Sequence, residues 1–271
     1  MAKQQDEMSF LGHLEELRWH LVRGVTAIFI LAIVFFIFDK EIYDNFLLAH
    51  IQPDFFTYQL FCDFFNLFGM DSAFCNVNFD DKKLQSIRVT SQLMNSIWSS
   101  LILGIIVAFP YILWEAWRFI TPGLHKDEVK KSRSFIFIAS LLFFIGVLFS
   151  FYVIAPISIH FLYNYQITDS IQNSFTLESH VGLVTNMLLG VSILFELPVI
   201  IYFLTKIGLV TPEFLKKYRK HALVFVLILA AIITPPDVAS QVVVAIPILI
   251  LYEISIIISR RVIKKQEKNA Q

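Results

Sequence analysis

The sequence predicts an all-α, polytopic membrane protein with six transmembrane helices. Hydrophobic residues make up 56% of its 271 residues, and the mean hydropathy of +0.66 is too high for an ordinary soluble domain. Six apolar stretches follow one another along the chain, and nearly all basic residues fall on one side of them. No short tandem repeat or low-complexity run divides the chain. We therefore expect residues 1–271 to form a single integral membrane domain.

The six spans follow from the length that a helix needs to cross a bilayer. About 20 residues of helix are required for a hydrocarbon core ~30 Å thick. The candidate spans are Trp19–Phe38, Leu93–Leu113, Phe135–Ala155, Leu183–Leu204, Ala222–Ile233 and Val242–Ile258. The first is expected to be an uncleaved anchor rather than a signal peptide, because an acidic segment precedes it and no small-residue cleavage site follows it.

The basic residues predict the orientation of these spans. If the N-terminus is inside, only four of the 22 Lys and Arg residues lie outside, namely Lys40, Lys82, Lys83 and Arg88. Because cytoplasmic loops are enriched in positive charge, we expect both termini in the cytoplasm and an even number of crossings. The net charge is zero, so the overall charge suggests no nucleic-acid partner.

The segments outside the spans have distinct characters. Apolar residues recur at helical spacing over residues 9–23, which predicts an amphipathic helix at the cytoplasmic interface before the chain enters the membrane. Many phenylalanines follow the first span, and their rings would settle at the membrane interface or form a cap. The four segments are the amphipathic helix (1–18), a long outer loop (39–90), the first cytoplasmic loop (114–134) and a basic cytoplasmic tail (260–271).

Cys62 and Cys75 both fall in the outer loop. An oxidising outer compartment would allow a disulfide between them, worth roughly 3 kcal/mol by the chain-entropy estimate. The alternative is a pair of free thiols packed among phenylalanines, and the sequence leaves both open.

The last two spans are predicted to be short. Ala222–Ile233 provides only about 18 Å of helix, and Val242–Ile258 contains Pro247 and Glu253. A tight link at residues 234–237 joins the two. We expect the bilayer to thin beside this hairpin, unless flanking polar residues snorkel and make thinning unnecessary.

Two acidic residues fall inside the predicted spans. Glu196 is at mid-span, where an ionisable group costs at least ~2.5–3.5 kcal/mol on insertion scales, and Pro198 frees a backbone carbonyl nearby. We interpret Glu196 as facing a functional cavity, the alternative being a buried polar contact between helices. Glu253 lies near the inner end of the last span and is expected to be structural, snorkelling toward Arg260.

Catalytic motifs are missing from the sequence. It contains no Walker-type phosphate loop, no HExxH, no GxSxG and no CxxC. The seven histidines are scattered and are interpreted as packed or interfacial residues rather than metal ligands. We therefore expect no catalytic residues, no metal, no cofactor and no enzymatic activity.

Acidic residues in the cytoplasmic segments have two interpretations. Glu15, Glu16, Asp127 and Glu128 lie in basic surroundings, where a carboxylate is normally an ion-pair partner for a neighbour. The alternative is a site for a cationic ligand, in which two converging carboxylates each bind a guanidinium through two hydrogen bonds.

The order of short motifs over residues 9–260 resembles the TatC family, the large membrane subunit of the twin-arginine protein translocase. The first is His13-Leu14-Glu15-Glu16-Leu17-Arg18, similar to the family's H-L-x-E-L-R box. The others are Pro110 with Trp117-Arg118-Phe119-Ile120-Thr121-Pro122-Gly123-Leu124 and Glu128; Phe144-Ile145-Gly146 with Pro156; Phe195-Glu196-Leu197-Pro198; and Thr234-Pro235-Pro236-Asp237 with Gln241 and Pro247.

The resemblance implies a function and a set of site residues. Signal peptides with two consecutive arginines would dock on the N-terminal helix and first cytoplasmic loop, with Glu16 and Glu128 as the receiving acids. Leu17, Arg18 and Phe119 would shape that surface. The spans would form a cupped arrangement whose concave face holds Glu196. The residues carried over as structural motifs are Pro110, Pro122, Pro198, Pro235, Pro236 and Asp237.

The implied partners are twin-arginine signal peptides of folded cargo, small single-span TatA/TatB-type subunits, other copies of the chain and the lipid bilayer. The location would be the cytoplasmic (inner) membrane of a bacterium, with the proton-motive force driving export. Two departures are visible. The stretch Leu48-Ala49-His50 lacks the proline that family members often have, and the outer loop is longer than expected.

The competing class is a secondary transporter in which Glu196 titrates during transport. It predicts pseudo-symmetric halves with matched interrupted spans, and no such pair is visible in the sequence. A membrane-embedded enzyme is the third class.

Overall fold

The computed structural model describes residues 10–69, 75, 77, 79, 84–120, 132–168, 170, 173–234 and 238–270. Within these ranges the regular structure is helical, and the β-contact is one isolated parallel bridge between Gln85 and Thr176. The helices are α1 (Phe10–Ile37), α2 (Asp39–Ile42), α3 (Phe56–Leu67), α4 (Ser91–Ile120), α5 (Ser132–Phe149), α6 (Ala155–Asn164), α7 (Leu177–Phe195), α8 (Leu197–Lys206), α9 (Pro212–Lys217), α10 (Arg219–Ile233) and α11 (Val238–Ala270).

Five helical stretches of the described chain are long and apolar enough to cross a membrane. They are Leu14–Ile37, Ser91–Phe119, Phe135–Asn164, Leu177–Lys206 and Ser240–Glu267. The predicted fifth span, Ala222–Ile233, lies in α10, which has 15 residues and is therefore about 22 Å long. The sixth crossing thus stays a prediction.

Parts of the first cytoplasmic loop and of the outer loop, which were predicted to be loops, are helical, and the predicted N-terminal helix joins the first span. From Phe10 onward, the N-terminal amphipathic segment is continuous with the first span in one helix, α1, and its location at the cytoplasmic interface stays a prediction. Helix α4 continues to Ile120, so residues 114–120 of the predicted cytoplasmic loop are helical. The outer loop contains α2 and α3. These segments carry apolar residues at helical spacing, which favours helix once one face packs.

The last span is not short, contrary to the prediction. Helix α11 has 33 residues, includes Pro247 and continues through the predicted basic tail to Ala270. Glu253 was expected to reach Arg260, but its carboxylate lies 2.6 Å from Arg219 at the start of α10. This pairing accounts for an acid within an apolar helix. Because α11 is long, α10 alone is the short helix of the hairpin.

The described chain falls into two compact units. The first contains residues up to 39 together with 97–141, and the second contains 40–96 with 142 onward. In the first unit, α1 and α4 pack closely at Gly104. A Cβ at Gly104 would lie 2.9 Å from the carbonyl oxygen of Ile28 and 3.0 Å from the nitrogen of Ala32. Glycine is needed there because it allows the two backbones to approach.

Prolines interrupt two of the long stretches, at positions that belong to the second unit. Pro156 has no N–H to bond the carbonyl of Tyr152, and a π-helical turn at Ser150–Ile154 separates α5 from α6. The freed Tyr152 carbonyl accepts a hydrogen bond of 2.6 Å from the Thr57 hydroxyl. Pro198 similarly separates α7 from α8 at Glu196. The predicted fourth span is therefore broken where its acid lies.

The buried side chains of His50 and Tyr58 hold the segment after α2 against the π-helical turn at Ser150–Ile154. The ring of His50 is fully buried and its Nε2 lies 2.9 Å from the Phe151 carbonyl. Burial lowers the pKa of His50 to about 4, so the neutral ring donates this bond at neutral pH. The Tyr58 hydroxyl donates to the His50 carbonyl at 2.7 Å. The Nε2 atom and the carbonyl of His50 and the hydroxyl of Tyr58 are thus paired although they are buried, whereas His50 Nδ1 has no hydrogen-bond partner among the described residues.

Two N-caps start the helices that follow irregular segments. Thr176 accepts a hydrogen bond from the Ser179 N–H at the start of α7, and Thr211 accepts one from the Phe214 N–H at the start of α9. Each satisfies a donor that has no partner within its helix.

Replacing Gly146 with alanine is expected to destabilise the second unit by about 1–3 kcal/mol. The added methyl would lie 2.7 Å from the Ser192 Cα on α7 and 3.0 Å from the Phe195 Cβ, and a backbone atom cannot turn away as a side chain can. Gly182→Ala is the matched control, because nothing lies within 4 Å of a Cβ there. Thermal unfolding midpoints in one detergent compare the two, and equal midpoints would contradict the close packing of α5 on α7.

Candidate functional site

The N-terminal half of α1 lies antiparallel to the C-terminal half of α4. His20 on α1 contacts the carboxylate of Glu115 on α4, and further along, Ile28 and Ala32 of α1 meet Gly104 of α4. These contacts give one consistent antiparallel alignment. In this alignment residue 16 of α1 is level with residue 119 of α4, since each lies one helical turn beyond the pair formed by His20 and Glu115.

Glu115 is a buried acid surrounded by cations. Its side chain is 3% exposed, and besides His20 it lies 3.8 Å from Arg23 and 3.5 Å from Arg118. A carboxylate so deeply buried is stable only with such partners. The cluster joins α1 to α4 and fixes how α1 is rotated.

Glu115 was not predicted as a site residue. Residue 114 was predicted to start a cytoplasmic loop, where an acid at residue 115 is unremarkable. The available signal was the tetrapeptide Trp114-Glu115-Ala116-Trp117, in which a carboxylate lies between two large aromatic residues at the end of an apolar helix.

Glu16 is on the same face of α1 as His20, one turn earlier. Its side chain is half-buried, and its Oε2 atom is buried with no hydrogen-bond partner among the described residues. The neighbouring Glu15 differs, because it is 66% exposed and lies 3.4 Å from Arg18. An unpaired buried carboxylate oxygen is costly. The predicted role of Glu16 in receiving a cationic group stays a prediction.

The other predicted surface residues lie around Glu16. The Phe119 ring meets the His20 ring edge-on, with 6.3 Å between centroids. Leu17 is 41% exposed, and the Arg18 guanidinium lies over the Trp19 ring. Glu128 and Pro122 lie outside the described residues, so the predicted convergence of Glu16 and Glu128 stays a prediction.

Glu196 belongs to the second unit. It lies between α7 and α8, is 7% exposed, and its Oε1 has no hydrogen-bond partner within the described chain. The Val199 and Ile200 N–H groups bond its backbone carbonyl, which starts α8 directly after the break. A polar side chain that is buried and unpaired at this depth is consistent with the predicted polar site.

The predicted structural prolines have different outcomes. Pro110 lies inside α4, and Pro198 is in the first turn of α8. Pro235, Pro236 and Asp237 lie outside the described residues.

Cys62 and Cys75 are joined in a disulfide. In the described part of the chain, no group of three or more His, Cys, Asp or Glu residues could hold a metal ion.

Comparison with known proteins gives one consistent family. The family model "Sec-independent protein translocase protein (TatC)" matches residues 12–247. A TatC protein of Blattabacterium from Periplaneta americana is 40% identical over 266 residues, which is 98% of this chain and 100% of the relative. TatCy of Bacillus subtilis is 32% identical over 265 residues, covering 98% of this chain and 94% of the relative.

A solved structure agrees with these relatives. The fold is similar to a crystal structure of the twin-arginine translocase receptor TatC, with a TM-score of 0.70 and 31% sequence identity. The match covers 92% of this chain and 99% of the crystallised one.

Proposed function

Because this chain belongs to the TatC family of Sec-independent protein translocase proteins, we propose that it recognises signal peptides bearing two consecutive arginines. Membership makes it a polytopic, all-α membrane protein and a core subunit of the Tat translocase. It is a transport component and not an enzyme. The secondary-transporter and membrane-enzyme alternatives are therefore set aside.

The observation that supports recognition best is the unpaired oxygen of Glu16. Three acids lie near the paired ends of α1 and α4. Glu15 has Arg18 as its partner, and Glu115 has His20, Arg23 and Arg118. Glu16 alone of these three keeps a buried oxygen without a hydrogen-bond partner among the described residues. Of these three acids it is thus the one with an acceptor that is not already paired, and this supports Glu16 as the acid that receives the ligand.

Glu16 would receive one arginine of the signal peptide and Glu128 the other. A guanidinium presents a planar set of donors that can bond both oxygens of a carboxylate, and lysine lacks this geometry. Two such bonds would therefore favour an arginine pair over a lysine pair. The apolar Leu17 and the ring of Phe119 would contact residues next to the arginines.

Glu115 would act as a positioning residue for this surface. It does not contact the ligand in this proposal, but it holds His20 one turn from Glu16. Loss of this contact would let α1 rotate and move the Glu16 carboxylate. The cluster therefore fixes the direction in which Glu16 points.

The later steps involve Glu196. The apolar part of the signal peptide would insert along a concave face that contains this residue, and the small single-span TatA/TatB-type subunits and further copies of the chain would assemble there. The proton-motive force would drive passage of folded cargo. The chain would cross the bacterial inner membrane six times, with both termini in the cytoplasm, as its basic residues predict.

Photocrosslinking tests recognition directly. A photoreactive amino acid at Leu17 leaves Glu16 intact and is expected to crosslink a twin-arginine signal peptide to the purified protein in liposomes. Placed at Val22, which is 46% exposed and on another side of α1, it should crosslink much less. A lysine-lysine peptide is the ligand control. Equal crosslinking of both peptides at Leu17 would reject the proposal.

A further inference from the structure

Helix α3 presents three different faces. Tyr58 is buried, and Phe61, Cys62 and Phe65 on the same side are partly buried. A second, polar face is exposed and carries Gln59, Asp63 and Asn66. The third is an exposed apolar stripe at helical spacing, with exposures of 62% at Phe56, 51% at Leu60, 56% at Phe64, 84% at Leu67 and 61% at Phe68.

We propose that α3 lies in the membrane interface, with this apolar stripe inserted among the acyl chains of the nearer leaflet. A helix with one protein face, one polar face and one apolar face can satisfy all three only where protein, water and lipid meet. Aromatic residues, which make up much of the stripe, are typical of the membrane–water interface.

The position of α3 along the third long stretch gives its depth. The hydroxyl of Thr57, in the first turn of α3, donates a hydrogen bond to the Tyr152 carbonyl. The Tyr58 hydroxyl lies 3.4 Å from the Pro156 carbonyl oxygen. The apolar stretch begins at Phe135, so Tyr152 is about 26 Å further along the helix. This is close to the far edge of a ~30 Å hydrocarbon core. Helix α3 therefore starts at the level of the interface.

The stripe continues a surface that already faces lipid. Ile145, Leu148 and Tyr152 are exposed at helical spacing on the third stretch, as expected for a transmembrane helix in contact with acyl chains. The Phe56 ring meets the Tyr152 ring edge-on at 6.4 Å. The apolar surface thus passes from the transmembrane helix to the first residue of α3 without a polar break.

Thr57 and Tyr58 fix which face of α3 points to the protein. Cys62 is on the same partly buried face and is bonded to Cys75. Rolling α3 to bury its stripe would expose Tyr58 and break the hydrogen bonds of Thr57 and Tyr58. A second copy of the chain or a partner helix would be the competing occupants, but neither accounts for the depth of α3 and its polar flank together.

Site-specific photocrosslinking to lipid tests this inference. The purified full chain, with its disulfide intact, is reconstituted in phosphatidylethanolamine–phosphatidylglycerol liposomes with a photoreactive phenylalanine at position 64, 63 or 148. Mass spectrometry then measures the fraction of protein that carries one phospholipid. Leu148 is the positive control on the transmembrane helix, and Asp63 is the adjacent control on the polar face.

The expected result is a phospholipid adduct at position 64 comparable to that at position 148 and roughly fivefold above that at position 63. A covalent dimer from position 64 would overturn the proposal in favour of a second copy as the occupant. No adduct at 64, with normal labelling at 148, would also overturn it. Crosslinks to a co-reconstituted single-span subunit instead of lipid would show that a protein partner covers the stripe.

Discussion

Glu16→Gln is expected to lower export of a folded twin-arginine reporter by at least about tenfold, and Glu16→Gln with Glu128→Gln to abolish it. A hydrogen bond to a charged group contributes about 1.5–3 kcal/mol, and 1.4 kcal/mol corresponds to a factor of ten in binding. Glutamine keeps the size of the side chain but removes the charge and one acceptor oxygen. The measurement is the export rate at equal levels of the membrane protein.

Glu15→Gln is the matched control for this experiment. It makes the same chemical change one residue away, at a side chain that is 66% exposed and paired with Arg18. An exposed pair at this spacing contributes about 0.3–0.5 kcal/mol, so export should stay within about twofold of the wild type. Unchanged export in Glu16→Gln and in the double variant would reject the assigned role of the two acids.

Glu115→Leu is expected to destabilise the packing of α1 on α4 by about 3–5 kcal/mol, because it removes one partner of a buried polar pair. His20 would then be buried without its acceptor, and Arg23 and Arg118 would lose their shared carboxylate. Crosslinking of the signal peptide from Leu17 should also fall, because the contact between His20 and Glu115 would no longer hold the face of α1 that carries Glu16. Thermal unfolding in detergent and crosslinking yield are the two measurements.

Two further variants separate positioning from general loss of charge. Glu115→Gln keeps an acceptor for His20 and should recover most of the stability and crosslinking. Glu253→Gln removes a carboxylate that is 48% exposed and paired with Arg219, so a cost of about 0–1 kcal/mol is expected. If Glu115→Leu unfolds no more easily than Glu253→Gln, the buried cluster does not stabilise α1 against α4.

Much of the helical pattern could be predicted from the sequence because it depends on local properties. Apolar stretches of about 20 residues predicted the helices of Trp19–Phe38 and Leu93–Leu113, which lie within or almost within α1 and α4. Errors arose at the ends of helices. The last span was predicted to end at Ile258, but its helix continues to Ala270, because Lys and Arg are good helix formers.

The site was predicted only in part, since it depends on contacts between distant residues. Glu16 was predicted from its motif and its binding role stays a prediction, although its Oε2 atom is buried and unpaired among the described residues. Glu115 was missed because its role comes from His20, 95 positions earlier in the chain. The predicted partner of Glu253 was wrong for the same reason. Arg260 was chosen because it is near in sequence, but Arg219 is the arginine that is near in space.

Hydropathy, charge and short motifs can be recognised in a linear chain, so they were enough to predict an all-α membrane protein that resembles the TatC family. The folded structure was needed to find which acids already have partners, where Pro156 and Pro198 break their helices, and which face of α3 stays exposed. The physical reason is that burial and pairing depend on neighbours brought together by packing, and these neighbours lie tens of residues apart in the chain.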